Sequence, residues 1–177
     1  NQAAAAVKGA FEHKRAAKTY LAICHGQPPW PDAGAAPLVL DAPLALAGPD
    51  DDTRLPGVRM VVRADGLPAI TKVSVVDRAG GYALVRCDLV TGRQHQIRAH
   101  LAHAGFPIVG DKLYAHGDAA FMAFCDGGMT RALAERFVLP RHALHAHRLR
   151  LPHPRPGAPL EVESPLAWDL AAFLAAQ

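Results

Sequence analysis

The stretch from Thr91 to Tyr114, TGRQHQIRAHLAHAGFPIVGDKLY, constrains this chain more than any other, because it sets a tight turn, a cationic helix and a second turn in one block. Thr91-Gly92 can turn the chain after the apolar run Tyr82 to Val90. A helix is then predicted from Arg93 to Ala104, since Gly105 can take the left-handed cap and Pro107 forbids continuation. At about 100° per residue, Ile97, Leu101 and Ala104 share one arc and can face a core, while Gln96, His100 and His103 share another. Arg98 falls on a third side with His95 and Ala102. The small alanine one turn on leaves room beside the guanidinium, so a close partner for Arg98 is expected.

The rest of the chain alternates strand-like and helix-like segments without a repeated βαβ rhythm. Strands are predicted at Ala17 to His25, Val58 to Arg63, Ile70 to Asp77, Tyr82 to Val90, His142 to Leu151 and Leu160 to Glu163. Helices are predicted at the N-terminus, at Arg93 to Ala104, around Thr130 to Phe137 and at Leu166 to Ala175. Ala79-Gly80-Gly81 joins two of the strands closely enough to pair them as an antiparallel hairpin. Gln27 to Gly57, dense in Pro, Gly and Asp, reads as a long surface excursion carrying a small edge strand within Leu38 to Leu46. The expected fold class is α+β, on a mixed, mostly antiparallel sheet, and the length of 177 residues suits one domain.

Half the residues are hydrophobic and a fifth charged, and no apolar run approaches the roughly 20 residues that span a bilayer, so a globular chain with no membrane role is expected. Cys24, Cys87 and Cys125 are odd in number and far apart, which argues against a disulfide framework and for an intracellular, cytoplasmic setting. A net charge of +3 with ten histidines is a weak basic signal, compatible with a nucleic-acid partner.

The Thr91–Tyr114 block resembles the signature GRxHQIRxHLAxxGxPIxGDxxY of the RluA branch of RNA pseudouridine synthases. Three further pieces match the same family in order. Lys18-Thr19-Tyr20-Leu21-Ala22 with His25-Gly26 is similar to its KxYxA strand, Pro68-Ala69-Ile70-Thr71 to its PAxT strand, and Leu144-His145-Ala146 through His153-Pro154 to its LHAxxLxxxHP segment. The resemblance runs from Phe11 to about Trp168 and implies the pseudouridine synthase catalytic-domain fold, with a uridine in ribosomal or transfer RNA isomerised to pseudouridine. Such chemistry uses no cofactor and no metal. It implies an RNA partner rather than DNA or a membrane, and a monomer is expected.

The family's catalytic aspartate lies in an HRLD-x-x-TSG motif upstream of the KxYxA strand, and no Arg-Leu-Asp triplet occurs in these residues. Asn1 to Arg15 is Ala-rich and reads as a helix already under way, so a single, N-terminally incomplete catalytic domain is expected. The resemblance implies that Arg98 holds the missing carboxylate ionised through a bidentate pair, against the desolvation that would raise its pKa. It also implies that Tyr20 stacks on the uracil and that Ile97 walls the pocket, although core packing accounts for Ile97 equally well. Lys18, Lys72, Arg93, Gln96, His100 and Lys112 are candidate contacts to RNA phosphate or ribose. Asp111 after Gly110 is expected to anchor turn amides rather than to catalyse.

Two other readings stand beside this one. A catalytically silent relative would keep the cleft for RNA binding alone. A zinc-dependent hydrolase would need the histidines as ligands, yet no Cys-x-x-Cys or His-Glu-x-x-His accompanies them, and His95 points away from His100 and His103 on the helix. His145 and His147 are expected to make structural hydrogen bonds.

Overall fold

The computed structural model describes residues 2–155 and 157–177. The elements run α1 (Gln2–Glu12), β1 (Ala17–His25), β2 (Leu38–Asp41), β3 (Leu44–Leu46), β4 (Met60–Val62), β5 (Ile70–Ala79), β6 (Tyr82–Leu89), α2 (Gln96–His103), α3 (Asp118–Gly127), α4 (Arg131–Phe137), β7 (Leu144–Leu151), β8 (Leu160–Glu163) and α5 (Trp168–Ala175). Six strands form one sheet in the order β2-β5-β6-β1-β7-β8, and β3 pairs with β4 in a separate two-stranded sheet. Every named ladder is antiparallel. The parallel component of the expected mixed sheet reduces to isolated bridges such as Asp32 to Val75.

Central β1 is buried continuously from Leu21 to Cys24, so both of its faces are covered, since successive side chains point to opposite sides. Ile97 and Leu101 of α2 and Leu170 and Leu174 of α5 join Ile23, Val75 and Val85 in the main core. A second cluster of Leu44, Met60, Ala69, Ala99, Leu113 and Tyr114 packs on α2 through Ala99. The hairpin forms as read: Ala79 faces Tyr82, and Gly80, at φ 56°, makes the tight turn.

Four local expectations change. The helix begins at Gln96, not Arg93, because His95 takes a left-handed φ of 52° and the Gln96 side-chain oxygen accepts from the Arg93 amide, closing a turn that competes with helix. Residues 118–127 form a helix that was not expected, although Asp118 in its first turn and Gly127-Gly128 at its end are recognisable start and stop signals. The excursion is also less superficial than its composition suggests. Trp30 is buried with its ring 5.2 Å from that of Phe106, and the Pro31 carbonyl accepts from the Val75 amide. The single edge strand read over 38–46 splits at Ala42-Pro43: β2 extends the main sheet while Leu44, fully buried, starts the small one. Gly66 permits this crossing, since a Cβ there would lie 2.6 Å from the Leu44 backbone.

Candidate active site

Arg98 stands on α2 with its side chain 17% exposed, beside the fully buried Asp111. Its Nε donates to Asp111 Oδ2 at 2.6 Å and its Nη2 to Oδ1 at 2.7 Å, a bidentate fork. Oδ1 also accepts from the backbone amides of Leu113 and Tyr114, at 3.0 and 3.1 Å. Asp111 is therefore the turn anchor expected and, in addition, the partner for which Ala102 left room. Nη1 of Arg98 makes no hydrogen bond to another described residue. It is a donor still available to a second acceptor.

The electrostatics hold this pair ionised. Burial works against the charged guanidinium, but the hydrogen bonds and charge of Asp111 outweigh it and raise the Arg98 pKa. Burial likewise works against the Asp111 carboxylate, and Arg98 with the two amides brings its pKa below the usual value. The Tyr114 ring lies 4.9 Å from the Arg98 guanidinium and 5.0 Å from that of Arg59, so two cations flank one aromatic. Its hydroxyl accepts from the Met60 amide at 2.8 Å and lies 3.1 Å from His95 Nδ1. Arg98 opens on a hollow of about 420 Å³ shared with His95, Lys112, Leu113, Phe121 and His142.

Tyr20 lies half-buried on β1, immediately after a bulge in the ladder to β7 between Thr19 and Tyr20. Bulges re-aim side chains and are frequent beside active sites. Tyr20 packs against the main core and lines a largely apolar cleft of about 350 Å³ with Phe11, Lys18, Leu149 and Val162. This cleft and the Arg98 hollow share no lining residue. Ile97, 4% exposed, lines neither; it packs in the core cluster against which Tyr20 rests.

Several candidate RNA contacts sit elsewhere than expected. Gln96 and His100 are 2% and 1% exposed. Gln96 Nε2 donates to the Ile70 carbonyl and the Thr71 hydroxyl, and its Oε1 accepts from the Thr91 hydroxyl as well as the Arg93 amide. His100 Nε2 meets the Ala42 carbonyl at 2.9 Å, so that nitrogen carries the proton, while Nδ1 faces the Thr71 hydroxyl at 2.9 Å. Burial lowers the His100 pKa and keeps the ring neutral. Both residues are thus corrected from RNA contacts to struts that tie α2 to β5 and to the 41–43 corner. His100→Ala is expected to cost about 2–4 kcal/mol in chemical denaturation by orphaning buried partners, with RNA affinity unchanged per folded molecule.

Lys112 is also engaged: its ammonium donates to the Pro140 carbonyl at 2.6 Å and lies 5.2 and 5.6 Å from the Phe124 and Phe137 rings. Burial lowers its pKa. Lys72 is exposed on β5 in register with Asp88, whereas Lys18 and Arg93 line a common groove. His145 Nε2 and His147 Nδ1 both meet the Ser164 carbonyl, the structural role expected of them. Among the described residues no three of His, Cys, Asp or Glu gather as a metal-ligand set. Sequence reasoning missed the Arg98–Asp111 fork, although both residues stand in the same signature block.

A family model described as RNA pseudouridylate synthase matches residues 1–103. The chain belongs to that family. A pseudouridylate synthase relative from Chloroflexus aurantiacus, named an uncharacterized RNA pseudouridine synthase, is 40% identical over 161 residues, covering 91% of this chain and 42% of its own length. Ribosomal large subunit pseudouridine synthase D of Xanthomonas campestris is 39% identical over 119 residues, 67% of this chain and 35% of that protein. The chain thus spans less than half the length of these relatives. Among solved structures, Human RNA Pseudouridylate Synthase Domain Containing 1 superposes with a TM-score of 0.66 at 22% identity, over 92% of this chain and 59% of that one, which supports the α+β fold. No helix of the described residues is long and apolar enough to cross a membrane.

Proposed function

We propose that this chain is the larger part of a pseudouridine synthase catalytic domain, which isomerises a uridine in ribosomal or transfer RNA using an aspartate from an upstream HRLD segment. The observation that carries this reading is the Arg98 guanidinium, clamped by Asp111 and bordered by Tyr114, with Nη1 left for a second carboxylate. A fork held this way cannot swing to meet its target; it is oriented before the substrate arrives. The reaction breaks the N1–C1′ bond, forms a C5–C1′ bond, removes the proton from C5 and leaves one on N1. It needs a carboxylate at C1′ and groups that orient the ring. The base must first leave its stack, which an apolar cleft edged by Tyr20 and Lys18 favours.

The test is tritium release from RNA carrying 5-tritiated uridine, using the complete product of the gene. Release that disappears when the upstream aspartate is replaced by alanine is expected. RNA binding without release would instead select the catalytically silent reading. Tyr20→Phe keeps the stacking ring and removes the hydroxyl, so RNA affinity is expected to hold while any step that uses the phenolic proton slows. Single-turnover rates compared with dissociation constants measure that split.

A further inference from the structure

Three adjoining hollows run along the start of β1. The first, about 560 Å³, is lined by Arg15, Ala17, Arg150, His153 and Arg155 among others. The second, about 410 Å³, shares Arg15 and Ala17 with it and adds Phe11, Lys14, Lys18 and Arg93. The third is the Tyr20 cleft, which shares Phe11 and Lys18 with the second. Lys18 Nζ reaches the 91–93 turn, where a Cβ on Gly92 would come within 2.8 Å of it.

Much of the positive charge along this path is not neutralised by carboxylates. Arg59, Arg63, Arg78, Arg86, Arg98 and Arg141 all pair with carboxylates at 2.9 Å or less. By contrast Lys14, Arg15, Lys18, Arg93 and Arg155 make no ion pair with a described residue. Glu12 is the one acidic residue lining the middle hollow, and it lies 3.5 Å from the Lys8 ammonium one helical turn back. Unpaired cations in a concave surface raise the local potential for a polyanion. Phe11, 44% exposed at the junction of the second and third hollows, adds an aromatic face. Cations that track a backbone beside an aromatic platform are the physical recipe for an unpaired nucleic-acid strand.

We propose that this groove carries the unpaired RNA strand flanking the target nucleotide, with Lys14, Arg15 and Arg93 on its phosphates and Phe11 stacked on a base before the strand enters the Tyr20 cleft. The assignment rests on the isomerase reading for its substrate but not for its binding chemistry. The complete gene product carrying K14E/R15E is compared with wild type for binding a single-stranded RNA at a series of salt concentrations. Affinity is expected to fall by about tenfold or more, and the slope of log affinity on log salt to shrink by about 1.4, near 0.7 per lost phosphate contact. Phe11→Ala is expected to weaken binding about tenfold without altering that slope. Arg131→Glu, on a residue paired only with Glu135, serves as the control and leaves both quantities unchanged. Unaltered affinity in K14E/R15E, an equal loss in the control, or equal binding of a perfect duplex overturns the groove. Tritium release separates the two readings: release with unaltered K14E/R15E affinity sinks the groove alone, and groove-dependent binding without release sinks the isomerase alone.

Discussion

Replacing Arg98 by alanine in the complete gene product is expected to slow pseudouridine formation by about 100- to 1000-fold, the scale for losing one preorganised charged donor, while RNA affinity stays at the wild-type value. The reasoning is local. Arg98 lies on α2 and lines a different hollow from Lys14 and Arg15, so its loss leaves that groove's cations in place. Alanine also strands the buried Asp111 carboxylate, so turnover must be normalised to folded protein. Arg98→Lys addresses this directly, because it restores a charge for Asp111 but not the planar fork. A folded lysine variant with slow single-turnover rates and normal RNA binding supports orientation by Arg98. Parallel losses of rate and affinity would reassign Arg98 to RNA binding.

Asp111→Ala is the substitution expected to cost most stability, about 3–5 kcal/mol, because it leaves a largely buried guanidinium unpaired and removes the acceptor of two turn amides. Asp111→Asn keeps the shape and isolates the charge. Because the folded-state pKa of Asp111 lies below its ordinary value, its ionised form contributes stability that is fully present above the unfolded pKa of about 4. That contribution is lost as pH falls through the lower folded-state value. Thermal melts of wild type between pH 7 and pH 3 should therefore show an acid limb beginning near pH 4, and Asp111→Asn should start from a lower melting temperature with a flatter limb. A steeper limb in the asparagine variant would refute this account. Asp118, held by Thr53, Arg59 and the Arg54 amide, shifts in the same direction, so some acid sensitivity is expected to persist.

What the sequence determined by itself is local. The limits of β1 and β8 match their reading residue for residue, and the Gly80 turn set the β5–β6 pairing, because alternation and turn chemistry act over a few residues. The signature block likewise gave Asp111 as the anchor of a turn, which its bonds from the Leu113 and Tyr114 amides make it, but not as the partner of Arg98. Periodicity also placed Gln96 and His100 together on one arc of α2, but it could not say what that arc would meet. Only tertiary structure decided this. With α2 packed on the main core through Ile97 and on the second cluster through Ala99, the polar arc between them turns inward. It is tolerated there because Thr71, Ile70 and Ala42, distant in sequence, supply hydrogen bonds that outweigh desolvation. The same holds for Trp30 under its Pro-rich loop, and for Arg15 and Arg155, which are 140 residues apart in number yet line one hollow. Local propensity fixes which elements form, and the burial of polar and charged groups is settled only when distant partners arrive.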